Sequence, residues 1–142
     1  MKPGKVRAIA ICIIQHAGRL LVAEGFDEVK KSKFYRPLGG KIEFGERGAE
    51  TIAREFMEEI DARVTDIRYL GTVENIFTYD GQMGHEIVLV YAGSLADAVL
   101  YEQPGLAAHE DDGSAFRAVW MPLDDFRNGR AVVYPDGVLE LV

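Results

Sequence analysis

The chain has 142 residues, of which 48% are apolar and 27% charged, enough for one core and too apolar for a disordered segment. Its formal net charge of −7 argues against broad nucleic-acid binding, which relies on Lys and Arg to neutralise phosphates. A small phosphorylated ligand stays open, because a bound cation can supply the missing positive charge. No apolar run approaches the roughly 18 residues of a membrane span, and the single cysteine, Cys12, excludes an internal disulfide or a cysteine-based metal cluster.

In chain order, the basic start and short apolar stretch of MKPGKVRAIAICIIQH lack a small-residue cleavage site and read as a first strand over Val6 to Ile14, not a signal sequence. A cytoplasmic protein is therefore expected. Cys12, between Ile11 and Ile13, reads as a small buried residue. His16-Ala17-Gly18 is a turn with a solvated histidine, and Arg19 to Ala23 resumes the apolar pattern, which predicts a hairpin. Residues 25 to 37 are polar with Gly, Ser and Pro and read as a loop. Within it, Lys30, Lys31 and Lys33 form either a solvated cluster or a basic rim for an anion. Phe34, Tyr35 and Arg36 either anchor the loop or stack a base and pair with a phosphate.

Lys41 to Phe44 alternates as a short strand would. From Arg47 the period becomes helical, with Ala49, Ile52, Ala53, Phe56 and Ile60 on one face and Arg54, Glu55, Glu58 and Glu59 towards the other. Val64 to Tyr79 predicts one long or two short strands, Asp80-Gly81 a turn, and His85 to Ala92 a strand buried on both sides. Residues 96 to 115 read as a long polar connection holding the acidic trio Glu110-Asp111-Asp112. A strand over Phe116 to Met121, a short helix from Pro122, and a last helical turn over Gly137 to Val142 complete the chain as one domain, 1–142.

The helix after Gly40 is what the composition leaves unexplained. Residues three and four apart share a helix face, so Glu55, Glu58 and Glu59 bring three carboxylates together within about one and a half turns. That much negative charge calls for water or a divalent cation, and Mg²⁺, with its preference for octahedral oxygen ligation, fits two or three carboxylates plus substrate phosphates.

Residues 40 to 62, GKIEFGERGAETIAREFMEEIDA, resemble the Nudix box, G-x5-E-x7-R-E-U-x-E-E-x-G-U with U apolar. Gly40, Glu46, Arg54, Glu55, Glu58 and Glu59 occupy six of its seven fixed positions, with Phe56 and Ala62 at the apolar ones. RPLGG before the box and VWMPL near the C-terminus fit the same family. The one departure is Asp61 where glycine is expected; a glycine past a helix end supplies the left-handed conformation, which Asp tolerates better than most residues. The substitution bears on helix closure, not on the metal.

The resemblance implies an α/β/α sandwich with a mixed curved β-sheet. It also implies Mg²⁺-dependent attack of water on a diphosphate linkage in a nucleoside diphosphate derivative. ADP-ribose-like nucleotide sugars, nucleoside triphosphates and dinucleoside polyphosphates are all open, and Mn²⁺ is an alternative ion. Glu55, Glu58 and Glu59 are the implied metal ligands, joined by a backbone carbonyl of a Gly39-Gly40 turn, and Arg54 is implied to pair with Glu46 and orient the helix. Arg36, Tyr35, Gly39 and Gly40 are the candidate substrate contacts. The general base is open among Glu58, Glu55, Glu86 and the Glu110-Asp112 trio, with Glu58 favoured. Base or sugar recognition is expected from residues 25 to 36, 74 to 86 and 101 to 114. Homodimers are common in the family. The competing readings are a non-catalytic ligand-binding module on the same fold, and an isoprenoid diphosphate isomerase, which needs a reactive cysteine in the site.

Overall fold

A computed structural model describes residues 4–142; Met1–Pro3, the basic start of the N-terminal stretch, lie outside the described residues. Strands β1 (Val6–His16), β2 (Arg19–Asp27) and β3 (Ser32–Lys41) precede helix α1 (Gly48–Ile60). Strands β4 (Val64–Tyr79), β5 (Gln82–Leu95), β6 (Gly105–His109) and β7 (Ala115–Pro122) then lead into the short helix α2 (Leu123–Arg127). Single 3₁₀ turns cover Ala98–Glu102 and Val138–Leu141. The two tightest hairpins use paired positive-φ residues, Ala17-Gly18 and Asp80-Gly81, whose twist matches that of the strands they join.

The seven strands form one mixed sheet in the order β4-β5-β1-β3-β2-β7-β6. Among the described strand pairs, β1 and β5 run parallel and the others antiparallel. Strand β3 holds the two arms together: Ser32 to Pro37 pairs with β2, and Leu38 to Lys41 pairs with β1. Because successive strand residues face opposite sides, β1 feeds two cores. Ile9, Ile11 and Ile13 pack with Leu123 and Phe126 of α2 and with Val138. Ala10, Cys12 and Ile14 pack with Ile52 and Phe56 of α1 and with Trp120. The expected helix/sheet/helix layering with a mixed sheet holds.

Several boundaries differ from the sequence-based expectation. The stretch 25 to 37 is mostly strand, and the connection shrinks to residues 28–31. Gly25 faces the Phe34 ring, which occupies the space a side chain at Gly25 would need. Buried Asp27 then accepts hydrogen bonds from the amides of Val29 (2.9 Å), Lys30 (3.0 Å) and Asp80 (3.2 Å), so a polar sequence closes a hairpin. Conversely, the strand expected over Lys41 to Phe44 ends at Lys41. The connection 96 to 115 contains the 3₁₀ turn and β6, whose small residues Ala107 and Ala108 pair with β7, leaving a loop of only 110–114. Strand β5 alternates buried and half-buried residues instead of being buried on both sides.

Candidate active site

Helix α1 is positioned by its apolar residues and then used for its acidic ones. Ile52 and Phe56 are fully buried against the sheet, and burial of a side chain the size of Phe stabilises by about 2–3 kcal/mol. The buried stripe, however, is Thr51, Ile52, Glu55, Phe56 and Glu59. Ala53, expected in the core, faces solvent, while Glu55 and Glu59, expected on the solvated side, are only 5% and 6% exposed. Asp61 closes the helix in the left-handed conformation at φ 52°, its amide donating to the Met57 carbonyl (3.1 Å). That is the conformation glycine would supply.

Arg54 ties the helix to the loop that follows β3. Its Nε and Nη2 donate to the two oxygens of Glu46 at 2.8 and 2.9 Å, and Nη2 also donates to the Lys41 carbonyl at 3.0 Å. Its Nη1 reaches Glu55 at 2.8 Å and Glu58 at 3.3 Å. The Arg54 hydrogen bonds, with a further one from Thr51 Oγ1 (2.6 Å), hold the Glu46 carboxyl down at about 2. The implied Arg54–Glu46 pair is present as a two-pronged contact, the strong form of a charged hydrogen bond.

Five residues after Arg54, at Glu59, the balance reverses. Burial pushes the Glu59 carboxyl up to about 9, helped by the negative charge of Glu55, Glu110 and Asp111 and opposed by Arg36. Glu59 Oε1 is buried with no hydrogen-bond partner among the described residues. Burial also raises Glu55, despite its bond to Arg54. Glu55, Glu58 and Asp111 each place one carboxylate oxygen within 4.8 Å of the others. Asp111 therefore joins Glu55 and Glu58 in the cluster, and Glu59 lies beside it, less accessible than the sequence suggested. An unpartnered buried carboxylate next to three converging ones is costly unless a cation neutralises them, so this donor set fits a divalent ion.

Gly39 and Gly40 are not a turn but residues of β3, opposite Ile11 and Ala10 of β1. A Cβ on Gly39 would collide with the Ala10 backbone, and one on Gly40 would overlap the Glu55 carboxylate. The glycine that opens the box leaves the space in which Glu55 sits.

A cleft of about 400 Å³ lies between the two arms of the sheet and draws on all three segments expected to recognise a ligand. Arg36 and Glu110 line it and also act on Glu59, so they join the cleft to the carboxylates. Lys30 and Lys33 line the rim, whereas Lys31 turns outward to Glu28. Phe34 meets Tyr79 and Tyr134 edge-on, with ring centroids 5.6 and 5.8 Å away. Tyr35, a candidate stacking residue, instead points into the core against Phe126, because alternation along β3 sends it to the face opposite Phe34 and Arg36. Glu86 is not a loose charge at a strand end; it is 3% exposed, lines the cleft and pairs with Arg7. Sequence reasoning missed Arg7 and Tyr134, and placed Asn75 and Tyr79 in a recognition segment without singling them out; none carries a motif, and they come together only through the fold. Cys12 is fully buried, with its thiol pushed up to about 12 by that burial, so it offers no reactive thiol to the site.

A mixed sheet between helical layers, with a glutamate-bearing helix fastened by an arginine to a glycine-containing strand, defines a Nudix-type hydrolase fold. The NUDIX domain model matches residues 4–141, and the chain belongs to that family of pyrophosphohydrolases, which generally use divalent metals. Solved structures agree on the fold. A NUDIX hydrolase from Nitrosomonas europaea is 16% identical with a TM-score of 0.66, over 96% of this chain and 86% of that one. A MutT NUDIX hydrolase from Burkholderia pseudomallei is 20% identical with a TM-score of 0.65, over 97% and 98%. A structure from work on MutT of Aliivibrio salmonicida and Vibrio cholerae is 21% identical with a TM-score of 0.61, over 96% and 95%. No curated protein matches the chain.

Proposed function

We propose that residues 1–142 act as one NUDIX domain that hydrolyses the diphosphate linkage of a nucleoside diphosphate derivative with Mg²⁺. The observation that carries this reading is the convergence of Glu55, Glu58 and Asp111 beside the unpartnered, buried Glu59, at the end of a cleft bordered by Arg36 and Lys33. Glu55, Glu58, Glu59 and Asp111 would hold the metal. When bound, the cation neutralises phosphate oxygens and makes a bound water more acidic.

The chain's own groups supply the rest. Arg36, and Lys33 at the rim, attract and orient the phosphates, which carry the charge that must be offset during transfer. Arg54 and Glu46 hold the loop and helix in one geometry, and Gly40 keeps the Glu55 pocket open. Glu110, on the cleft wall next to the carboxylates, accepts the proton of the attacking water; Glu58, tied to Arg54 and part of the cluster, serves as ligand.

The test is release of a nucleoside monophosphate from a panel of mixed diphosphates, with and without Mg²⁺. Cleavage only with the cation is expected. Saturable binding of the panel with no cleavage of any member would identify a ligand-binding module instead. Glu110→Gln is expected to lower turnover about a hundredfold without changing the metal requirement, and normal turnover of this variant would return the base assignment to Glu58.

A further inference from the structure

The floor of the cleft carries a polar rung whose residues come from three adjacent strands. Arg7 of β1 stands opposite Glu86 of β5, and Glu86 stands opposite Asn75 of β4. All three line the cleft. Glu86 and Asn75 are 3% and 6% exposed. The rung below it is apolar, Ile9-Val88-Val73, and Phe77 lines the cleft on the rung above. Buried polar side chains in such surroundings normally find partners, and here the open side of the rung faces the cavity.

We infer that the Arg7-Glu86-Asn75 rung reads the edge of a nucleobase and selects bases with a protonated ring nitrogen flanked by a carbonyl: guanine, hypoxanthine, uracil and thymine. The reasoning rests on the order of donors and acceptors, and on the nucleotide-hydrolase reading for there being a base at all. The central group, the Glu86 carboxylate, can only accept. A base whose central edge atom is a ring N–H donates to it. Adenine and cytosine present a ring nitrogen lone pair at that position, which a carboxylate repels. On one side the Arg7 guanidinium donates to the neighbouring carbonyl. On the other side the Asn75 amide presents oxygen to the amino group of guanine or N–H to the second carbonyl of uracil or thymine. Phe34, held edge-on by Tyr79 and Tyr134, supplies the apolar wall against which the base plane rests. Arg36 and Glu110 then lie between this floor and the carboxylate cluster, where the phosphates would run.

The experiment compares binding of GMP, UMP, AMP, CMP and 1-methyl-GMP to the intact chain by titration calorimetry, beside turnover of the corresponding nucleoside triphosphates. GMP and UMP are expected to bind roughly 10- to 100-fold more tightly than AMP and CMP, the discrimination that paired base-edge contacts provide. 1-Methyl-GMP, which loses the central donor but leaves the protein untouched, is expected to fall to the level of AMP. Glu86→Gln should erase the preference by raising KM for GTP and UTP while leaving kcat nearly constant. Equal binding of all five ligands, or 1-methyl-GMP binding as well as GMP, overturns the inference. The two readings fail separately. A base preference in binding without turnover removes only the hydrolase, and turnover without base preference removes only the rung.

Discussion

The two ends of the α1 carboxylate series face opposite electrostatic conditions. At the loop end, Glu46 receives two hydrogen bonds from Arg54 and one from Thr51, and its carboxyl is held at about 2. Near the helix C-terminus, Glu59 has an orphaned oxygen, faces Glu55, Glu110 and Asp111, and is raised to about 9. Both belong to the same sequence motif. The difference teaches that a matched carboxylate here is scaffold, while an unmatched one marks where charge from outside the chain is expected.

The largest effect should come from removing the unmatched group. Glu59→Gln is expected to lower kcat/KM by at least about a hundredfold, while raising the melting temperature of the metal-free protein at pH 8.5, because the cost of keeping a buried carboxyl protonated at that pH disappears. A variant that loses activity and stability together would show Glu59 to be scaffold like Glu46. Next, Arg54→Ala strips the matched end. It leaves Glu46 without its partner and should destabilise the fold by about 2–3 kcal/mol in a denaturant titration, with activity falling as the loop is released.

A subtler intrusion is Gly40→Ala, whose methyl group would displace the Glu55 carboxylate. Metal affinity should drop about tenfold in a Mg²⁺ titration with little change in melting temperature of the metal-free form.

The pH dependence separates the two ends without mutation. Glu59 keeps its proton longer when folded, so its contribution to metal-free stability is greatest below about 4.5 and is lost as pH rises towards about 9. The slope is at most about 1.4 kcal/mol per pH unit. Glu46 has the opposite sign: its contribution is present above about 4.5 and is lost as pH falls towards about 2. Thermal melts across this range should show both, and stabilisation by Mg²⁺ should grow between pH 6 and pH 9. A flat alkaline limb would contradict the burial of an unmatched Glu59. Smallest of all, Asp61→Gly should stabilise by about 0.5–1 kcal/mol through relief at the left-handed position, with unchanged turnover.

Much of the site was legible in the residues because it is local. Arg54, Glu55, Glu58 and Glu59 lie on one helix, and Glu46 is eight residues from its arginine. Helical spacing and a positive-φ cap are short-range physics, so α1, its acidic cluster and the Asp61 closure could be read directly. The loop assignment for 25 to 37 failed because Gly and polar residues look alike in a turn and in a long hairpin arm. Only the packing of Phe34 over Gly25 and the capping by Asp27 distinguish them. The burial of Glu55 and Glu59 was equally hidden, since periodicity places a carboxylate on a face but cannot say what covers it.

By itself, then, the sequence determined the family, the helix that carries the carboxylates, and the strand-rich body that flanks it, since each is encoded within a few residues of chain. Only the tertiary structure decided that Asp111 joins the cluster, that Tyr35 belongs to the core, and that Arg7, Glu86 and Asn75 form one rung. Those outcomes depend on strand register between segments tens of residues apart, and register is settled by the whole core at once.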